Sequence, residues 1–98
     1  MAGLRFDWDG KKNRTNQRDH GVSFEEAESV FSDDHALFIV DPDHSEDEDR
    51  FILLGFSVRL RLLMVCHCYR EADDVIRIIS ARKAERSERE RYHARWRR

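Results

Sequence analysis

Val75-Ile76-Arg77-Ile78-Ile79-Ser80-Ala81-Arg82-Lys83-Ala84-Glu85-Arg86 joins two patterns that no single element can satisfy. Val75 to Ile79 is a β-branched run of the kind that fills a buried strand. Residues 82–98 hold eight Arg or Lys and three Glu, with no Gly or Pro, and read as a basic helix. Ser80 stands between the two, where a hydroxyl can accept a free N–H group of a helix start. The expectation is a core strand over 75–79 that turns at Ser80 directly into a helix. Such a junction often forms a phosphate-binding surface, because the N–H groups at a helix start favour anions.

Upstream, Ala72-Asp73-Asp74 turns the chain into that strand, and Leu60 to Tyr69 reads as the longest strand. Phe51 to Val58 and Ala36 to Val40 are two further strands, the latter stopped by Asp41-Pro42. The turn between the two longer strands falls near Val58-Arg59-Leu60, where the lack of Gly or Asn disfavours the tightest hairpins. Leu4 to Trp8 alternates like a short first strand. Asp9 then caps a helix over Gly10–His20, and Gly21 ends it. Ser23 and Glu26 have capping-box spacing, and Val22 and Ala27 have the spacing of a hydrophobic staple. The helix that follows carries Phe24, Ala27, Val30 and Phe31 at helical spacing and closes at Ser32-Asp33-Asp34. The order β-α-α-β-β-β-β-α makes one α+β domain over residues 1–98.

A chain of 98 residues, 40% hydrophobic and 39% charged, supports a single thin core under a dense ionic surface. No apolar run approaches the roughly 20 residues that span a bilayer. Met1-Ala2-Gly3-Leu4-Arg5 lacks the apolar core of a signal peptide, so a cytoplasmic protein is expected. Cys66 and Cys68 lie two apart on one strand face, a poor geometry for a disulfide and a better fit to a reducing compartment. The net charge of −2 is unevenly spread: residues 41–49 carry six acids and no base, while Lys11-Lys12-Asn13-Arg14 and the C-terminal segment are basic.

Several groups of residues carry chemistry. Arg82, Lys83, Arg86 and Arg89 can neutralise phosphates, or form a solvated face with internal pairs such as Glu85 and Arg89. Arg82 and Lys83 stand out, because a cation in the first turn of a helix opposes the dipole and needs another reason to be there. Lys12, Asn16 and His20 follow at i+4 and share a stripe, which presents a cation, an amide and an imidazole to one surface or to solvent. Asp41, Asp43, Ser45, Asp47 and Asp49 alternate like calcium-loop ligands, but Glu46 stands where a Gly should turn and Ile52 where a bidentate Glu should close. No metal is expected there. Within the same segment His44 and Glu48 are a candidate acid and base, with Arg50 just beyond.

Cys66-His67-Cys68 is not a zinc tripod, since on a strand His67 points away from both thiols. The alternation sends Leu62, Met64, Cys66 and Cys68 to the core. Arg61, Leu63, Val65, His67 and Tyr69 fall on a more mixed face, where His67 and Tyr69 can border a site. With no Gly-rich phosphate loop and no nucleophile elbow, any catalysis falls to His, Glu, Arg, Lys and Tyr without a cofactor.

A family resemblance covers most of the length. It rests on Phe6-Asp7-Trp8-Asp9 with Lys12, Asn16 and His20-Gly21-Val22-Ser23-Phe24-Glu25-Glu26-Ala27, then on Phe31 with Asp33. It continues through Asp41-Pro42-Asp43-His44-Ser45-Glu46 with Glu48 and Arg50, Gly55 with Ser57, and His67 with Arg70. Ile76-Arg77-Ile78-Ile79-Ser80-Ala81-Arg82-Lys83-Ala84, with Glu88, Arg89 and Tyr92, completes it. Taken together the chain resembles the BrnT toxins of bacterial type II toxin–antitoxin systems.

The resemblance implies a RelE-like α+β fold, a small antiparallel β-sheet with two N-terminal helices and a C-terminal helix. It implies a ribonuclease that blocks translation. It also implies neutralisation by a cognate BrnA-like antitoxin that itself binds operator DNA, so this chain would meet DNA only indirectly. It adds Arg70 and Arg77 to the site. The candidate catalytic residues are then His44, Glu48, Arg50, His67, Arg70 and Arg77, and the candidate RNA-binding residues Lys12, Asn16, His20, Arg82, Lys83 and Arg86. Gly10, Asp19 and Leu60 depart from the family's usual Pro, base and Gly. The first two bear on the N-terminal helix and its phosphate contacts, the third on the hairpin.

The leading expectation is a metal-independent endoribonuclease. The alternative is a non-catalytic RNA- or protein-binding module, a degenerate toxin acting as antitoxin co-repressor. The antitoxin is expected to occlude Arg82 and Lys83 rather than to dock on the acidic segment 41–49.

Overall fold

The computed structural model of the chain describes residues 4–40, 50–70, 72 and 74–95. Its elements are β1 (Arg5–Asp7), α1 (Gly10–His20), α2 (Phe24–Ser29) with a single 3₁₀ turn at Val30–Ser32, β2 (Leu37–Val40), β3 (Phe51–Phe56), β4 (Leu62–Arg70), β5 (Val75–Lys83) and α3 (Arg86–Arg95). The sheet order is β1-β5-β4-β3-β2. Strands β2 to β5 form an antiparallel meander, and β1 adds to β5 in parallel. This is the α+β order expected from the sequence. No helix among the described residues is long and apolar enough to cross a membrane.

Both faces of the sheet are covered. Val22, Phe24, Ala27 and Val30 pack on Leu63, Val65, Ile78 and Ala81 on one face. Leu54, Leu62, Ala84 and Tyr92, with Leu37, Ile39, Phe56 and Met64, form a smaller cluster on the other. The expected core side of β4 is therefore corrected: Leu63, Val65 and His67 face the larger core, and Leu62 and Met64 pack near α3. A strand buried on both faces has no polar side to mark its orientation.

The opening junction is also corrected. β5 does not end at Ile79 but continues to Lys83, with Ser80 opposite Cys66 and Lys83 opposite Leu63. The Ala84 N–H extends the ladder to the Leu62 carbonyl at 2.9 Å. Ser80 caps nothing. Helix α3 starts later: the Glu85 carbonyl accepts from the Arg89 N–H at 2.9 Å, and the Glu88 carboxylate reaches back to the Glu85 N–H at 2.8 Å. That return bond is half of a capping box centred on Glu85. Pairing with the nine-residue β4 overrides the helical preference of Ala81-Arg82-Lys83-Ala84.

Two tertiary ties hold the remaining elements. Ser23 caps α2 by accepting the Glu26 N–H at 3.0 Å, but the Glu26 carboxylate does not complete the box. It is buried instead, accepts the Ser57 hydroxyl at 2.7 Å, and pairs with the Arg61 guanidinium. Hydrogen bonds from Arg61, more than from Ser57, hold its pKa below the ordinary value against the effect of burial. Asp33 accepts from the Phe56 N–H at 2.8 Å, the His35 N–H at 2.9 Å and the Tyr92 hydroxyl at 2.8 Å. Gly55 lies so close to this tie that a Cβ there would sit 2.9 Å from Ala36 Cβ and 3.0 Å from the Asp33 carboxylate.

The β3–β4 hairpin closes without glycine. Ser57 N–H bonds Arg61 carbonyl at 2.9 Å and Leu60 N–H bonds Ser57 carbonyl at 2.9 Å. Leu60 takes φ 61°, the left-handed position that Gly usually fills in three-residue loops.

Candidate nucleic-acid interface

Helix α1 has almost no apolar residue, so it cannot dock by a hydrophobic stripe. Its ends form as the sequence predicts: the Asp9 carboxylate accepts Lys11 N–H at 2.8 Å and Lys12 N–H at 3.3 Å. Gly21, at φ 70°, donates its N–H to the Gln17 carbonyl at 2.9 Å. Gly10 in place of Pro leaves this start intact. Docking is done by two buried asparagines. Asn16 Nδ2 donates to the Val22 and Ala81 carbonyls, both at 2.8 Å, and Oδ1 accepts the Ala81 N–H at 3.1 Å. Asn13 Oδ1 accepts the Phe24 N–H at 2.8 Å, and its Nδ2 donates to Glu25 at 3.1 Å. The amide of Asn16 thus serves as a backbone partner for β5 and is committed to the interior.

The outer surface of the helix borders a groove of about 440 Å³ lined by Lys11, Lys12, Thr15, Asp19, His20 and Ile79 together with Asp9 and Asn16. Lys12 and His20 from the sequence stripe meet there. Asp19 is exposed in the same groove and pairs with Arg18 at 3.2 Å.

At the start of α1 a second cationic feature adjoins. Arg70 reaches Asp7 Oδ2 at 2.9 Å and Arg77 reaches Asp7 Oδ1 at 3.1 Å. Two guanidiniums from neighbouring strands converge on one carboxylate, each about 40% exposed. Arg77 also bears on Asp9. The N–H groups of Lys12 and Lys11 chiefly hold the Asp9 carboxyl below its ordinary value, and the charges of Lys12 and Arg77 assist. Arg70, Arg77, Lys11, Lys12 and His20 therefore form one band across the β1 edge and α1. It is set with Asp7, Asp9 and Asp19.

The other candidates lie elsewhere. Arg82 forks onto Glu88 at 2.9 and 2.8 Å. It stands at the far end of β5 from Arg77, about 16 Å along the strand at ~3.3 Å per residue. Its proposed position in a helical first turn, and that of Lys83, does not exist. Lys83 is exposed at the strand end, and Arg86 is an exposed helix residue paired with Glu90 at 3.3 Å. Arg50 is half-buried just before β3. His44 and Glu48 lie outside the described residues.

His67 is buried. Its Nδ1 lies 3.2 Å from the Val65 carbonyl, and its ring packs edge-on to Phe31 at 4.9 Å with Phe38 and Phe51 beyond. Burial pushes its pKa down, only partly offset by the Val65 carbonyl. Cys66 and Cys68 on either side are not joined in a disulfide. Asp7, the point on which two arginines converge, and Asn13 escape sequence reasoning. The signal for Asn13 is present: two asparagines three apart on a helix of long charged residues mark a face meant for backbone contact.

A protein-family model described as ribonuclease toxin, BrnT, of type II toxin-antitoxin system matches residues 8–88. The chain belongs to the BrnT family. Membership brings ribonuclease activity at the level of the family, an RNA target and an antitoxin partner. Among solved structures, the 1.1 Å crystal structure of the Brucella abortus ribonuclease toxin BrnT is similar, with 25% identity and a TM-score of 0.62 over 85% of this chain and 99% of that one. A comparison with curated proteins found no significant match.

Proposed function

We propose that this BrnT-family chain is a metal-independent endoribonuclease that inhibits translation and is neutralised by a BrnA-like antitoxin. The observation that carries the reading is the convergence of Arg70 and Arg77 on Asp7. A carboxylate held between two guanidiniums, one bond from each, occupies the place that a phosphate oxyanion would take. RNA entering the band would exchange with or lie against Asp7, its neighbouring phosphates on Lys11, Lys12 and His20.

The RNA supplies its own nucleophile, so the protein needs only to move protons and hold charge. The 2′-hydroxyl attacks the adjacent phosphorus as a base removes its proton. The P–O5′ bond breaks as an acid protonates the leaving oxygen, giving a 2′,3′-cyclic phosphate and a 5′-hydroxyl. We assign these transfers to His20 in the groove and to His44, with Glu48 as the carboxylate choice. His67 is set aside, because bringing a phosphate against three phenylalanines strips its water, and none of the described residues that line that surface is a Lys or Arg.

Labelled RNA incubated with pure protein in EDTA tests the reading. Cleavage should persist, and Arg77→Gln or Arg70→Gln should lower it by about 100-fold, the scale of losing one charge-stabilising donor. Lys12→Ala should weaken RNA binding evenly across sequences and reduce the salt slope by about one. Cleavage that requires added metal would refute the mechanism. A second reading is a binding module that acts only as co-repressor, its arginines engaged by Asp7 in the absence of RNA. Intact RNA binding without turnover would establish it.

A further inference from the structure

On the face of the sheet that carries α1 and α2, the helices leave one end open. There Leu4, Phe31, Phe38, Phe51, Leu53, His67, Tyr69 and Ile76 line a trough of about 530 Å³. Its walls are apolar and partly in solvent: Phe38 is 59% exposed, Leu4 49% and Tyr69 47%. Leu4 and Phe31 also belong to an adjoining groove that continues through Glu25, Glu28 and Asp34. One flank of the trough is therefore acidic. No residue lines both this surface and the cationic groove on α1.

We propose that this trough is the docking site of the antitoxin, and that it receives an amphipathic helix with an apolar stripe flanked by Lys or Arg. The proposal rests on the family assignment of an antitoxin partner. Charge selects the occupant: a segment seated on the trough passes Glu25, Glu28 and Asp34, which repel RNA and attract a basic flank. Shape selects the helix. The lining comes from β2, β3, β4 and β5, with Leu4 just before β1 and Phe31 of the 3₁₀ turn, so the trough runs across the strands from β2 to the β1 end of the sheet. Four strand spacings of about 4.8 Å make ~19 Å, the length of about 13 helical residues. A strand added to the β2 edge would run at right angles to it and leave it unfilled. This surface is neither Arg82 and Lys83 nor the segment 41–49, and inhibition would then act by assembly beside the RNA band, not by capping its cations.

Titration of the purified chain with the purified antitoxin from its own locus tests this. Phe38→Lys and Leu4→Lys change exposed side chains and should each weaken binding about ten-fold or more, the scale of losing an interface anchor. Asp34→Lys should weaken it about three-fold, and that effect should fade in high salt. RNA cleavage by free Phe38→Lys protein should match the unmutated chain. Antitoxin affinity within two-fold for both apolar variants would overturn the proposal. A self-association abolished by Phe38→Lys with antitoxin affinity intact would also overturn it, and would assign the trough to a second copy. So would a loss of RNA affinity in Phe38→Lys with antitoxin affinity intact. The affinity is read without RNA, so absence of cleavage would defeat the ribonuclease reading and leave this measurement standing.

Discussion

Helices α1 and α3 are both strongly polar, yet they are held in opposite ways. α1 sends Asn13 and Asn16 inward and replaces side-chain packing with hydrogen bonds to the backbone of α2 and β5. α3 buries Tyr92 alone, which packs edge-on to Phe56 at 5.3 Å and donates to Asp33, while the Arg82–Glu88 fork fastens its first turn. The contrast shows two routes by which a helix without an apolar stripe can dock. An interior amide fixes rotation and depth together, because three directional bonds admit one geometry. A single aromatic anchor with a part-buried ion pair leaves more freedom. The groove that holds Lys12 and His20 is built on the first kind of attachment, so its lining is held rigidly.

The strongest way to break this contrast is Asn16→Ala. It leaves the Ala81 N–H and two buried carbonyls without partners, and should cost about 3 kcal/mol or more in urea unfolding. A cost below about 1 kcal/mol would mean that α1 is held by something other than its amides.

Tyr92→Phe comes next, at about 1.5–3 kcal/mol for one bond to a charged acceptor. It also has a pH signature. Burial, and then the Asp33 carboxylate, raises the Tyr92 phenol to about 12. The stabilisation is therefore whole below the unfolded value of about 10 and is lost as pH rises towards 12. The stability gap between the unmutated chain and Tyr92→Phe should close over that window. Asp33 works at the acid end. Burial would raise its pKa, but the N–H groups of Phe56 and His35 and the Tyr92 hydroxyl together lower it. Its contribution is thus full above the ordinary carboxylate range and falls as pH drops through the folded value.

The smallest effect sharpens the contrast from the other side. Arg86→Ala removes an i,i+4 pair whose side chains are 86% and 64% exposed. Thermal stability should move by less than about 0.5 kcal/mol.

Local signals carried the N-terminal half of the fold. Asp9 and Gly21 bound α1 through contacts within four residues, so its limits were legible from the sequence. The start of α3 was not, because the length of β5 is set by β4 rather than by residues 80–84. The surroundings of His67 were hidden for a similar reason. Between Cys66 and His67 the register slips, Cys66 facing Ser80 and His67 facing Ile78. Both faces of β4 are covered as well, so period-two alternation did not tell which one met the larger core. In the site, Lys12 and His20 share a groove as their spacing suggests. Arg70 and Arg77 entered only through family resemblance, since they meet at Asp7, 63 and 70 residues away in the chain.

The clasp between Asn16 and Ala81 has a consequence for the timing of synthesis. Among the described residues β1 pairs only with β5, and α1 is secured across 65 residues of chain by bonds to that same strand. During translation the first strand and first helix emerge long before their partner exists. The groove on α1, which takes Ile79 as one wall, therefore assembles only when residue 81 has left the ribosome. A nascent or truncated chain lacking β5 would carry the lysines of α1 but not the surface that arranges them, so the groove is withheld until β5 is in place.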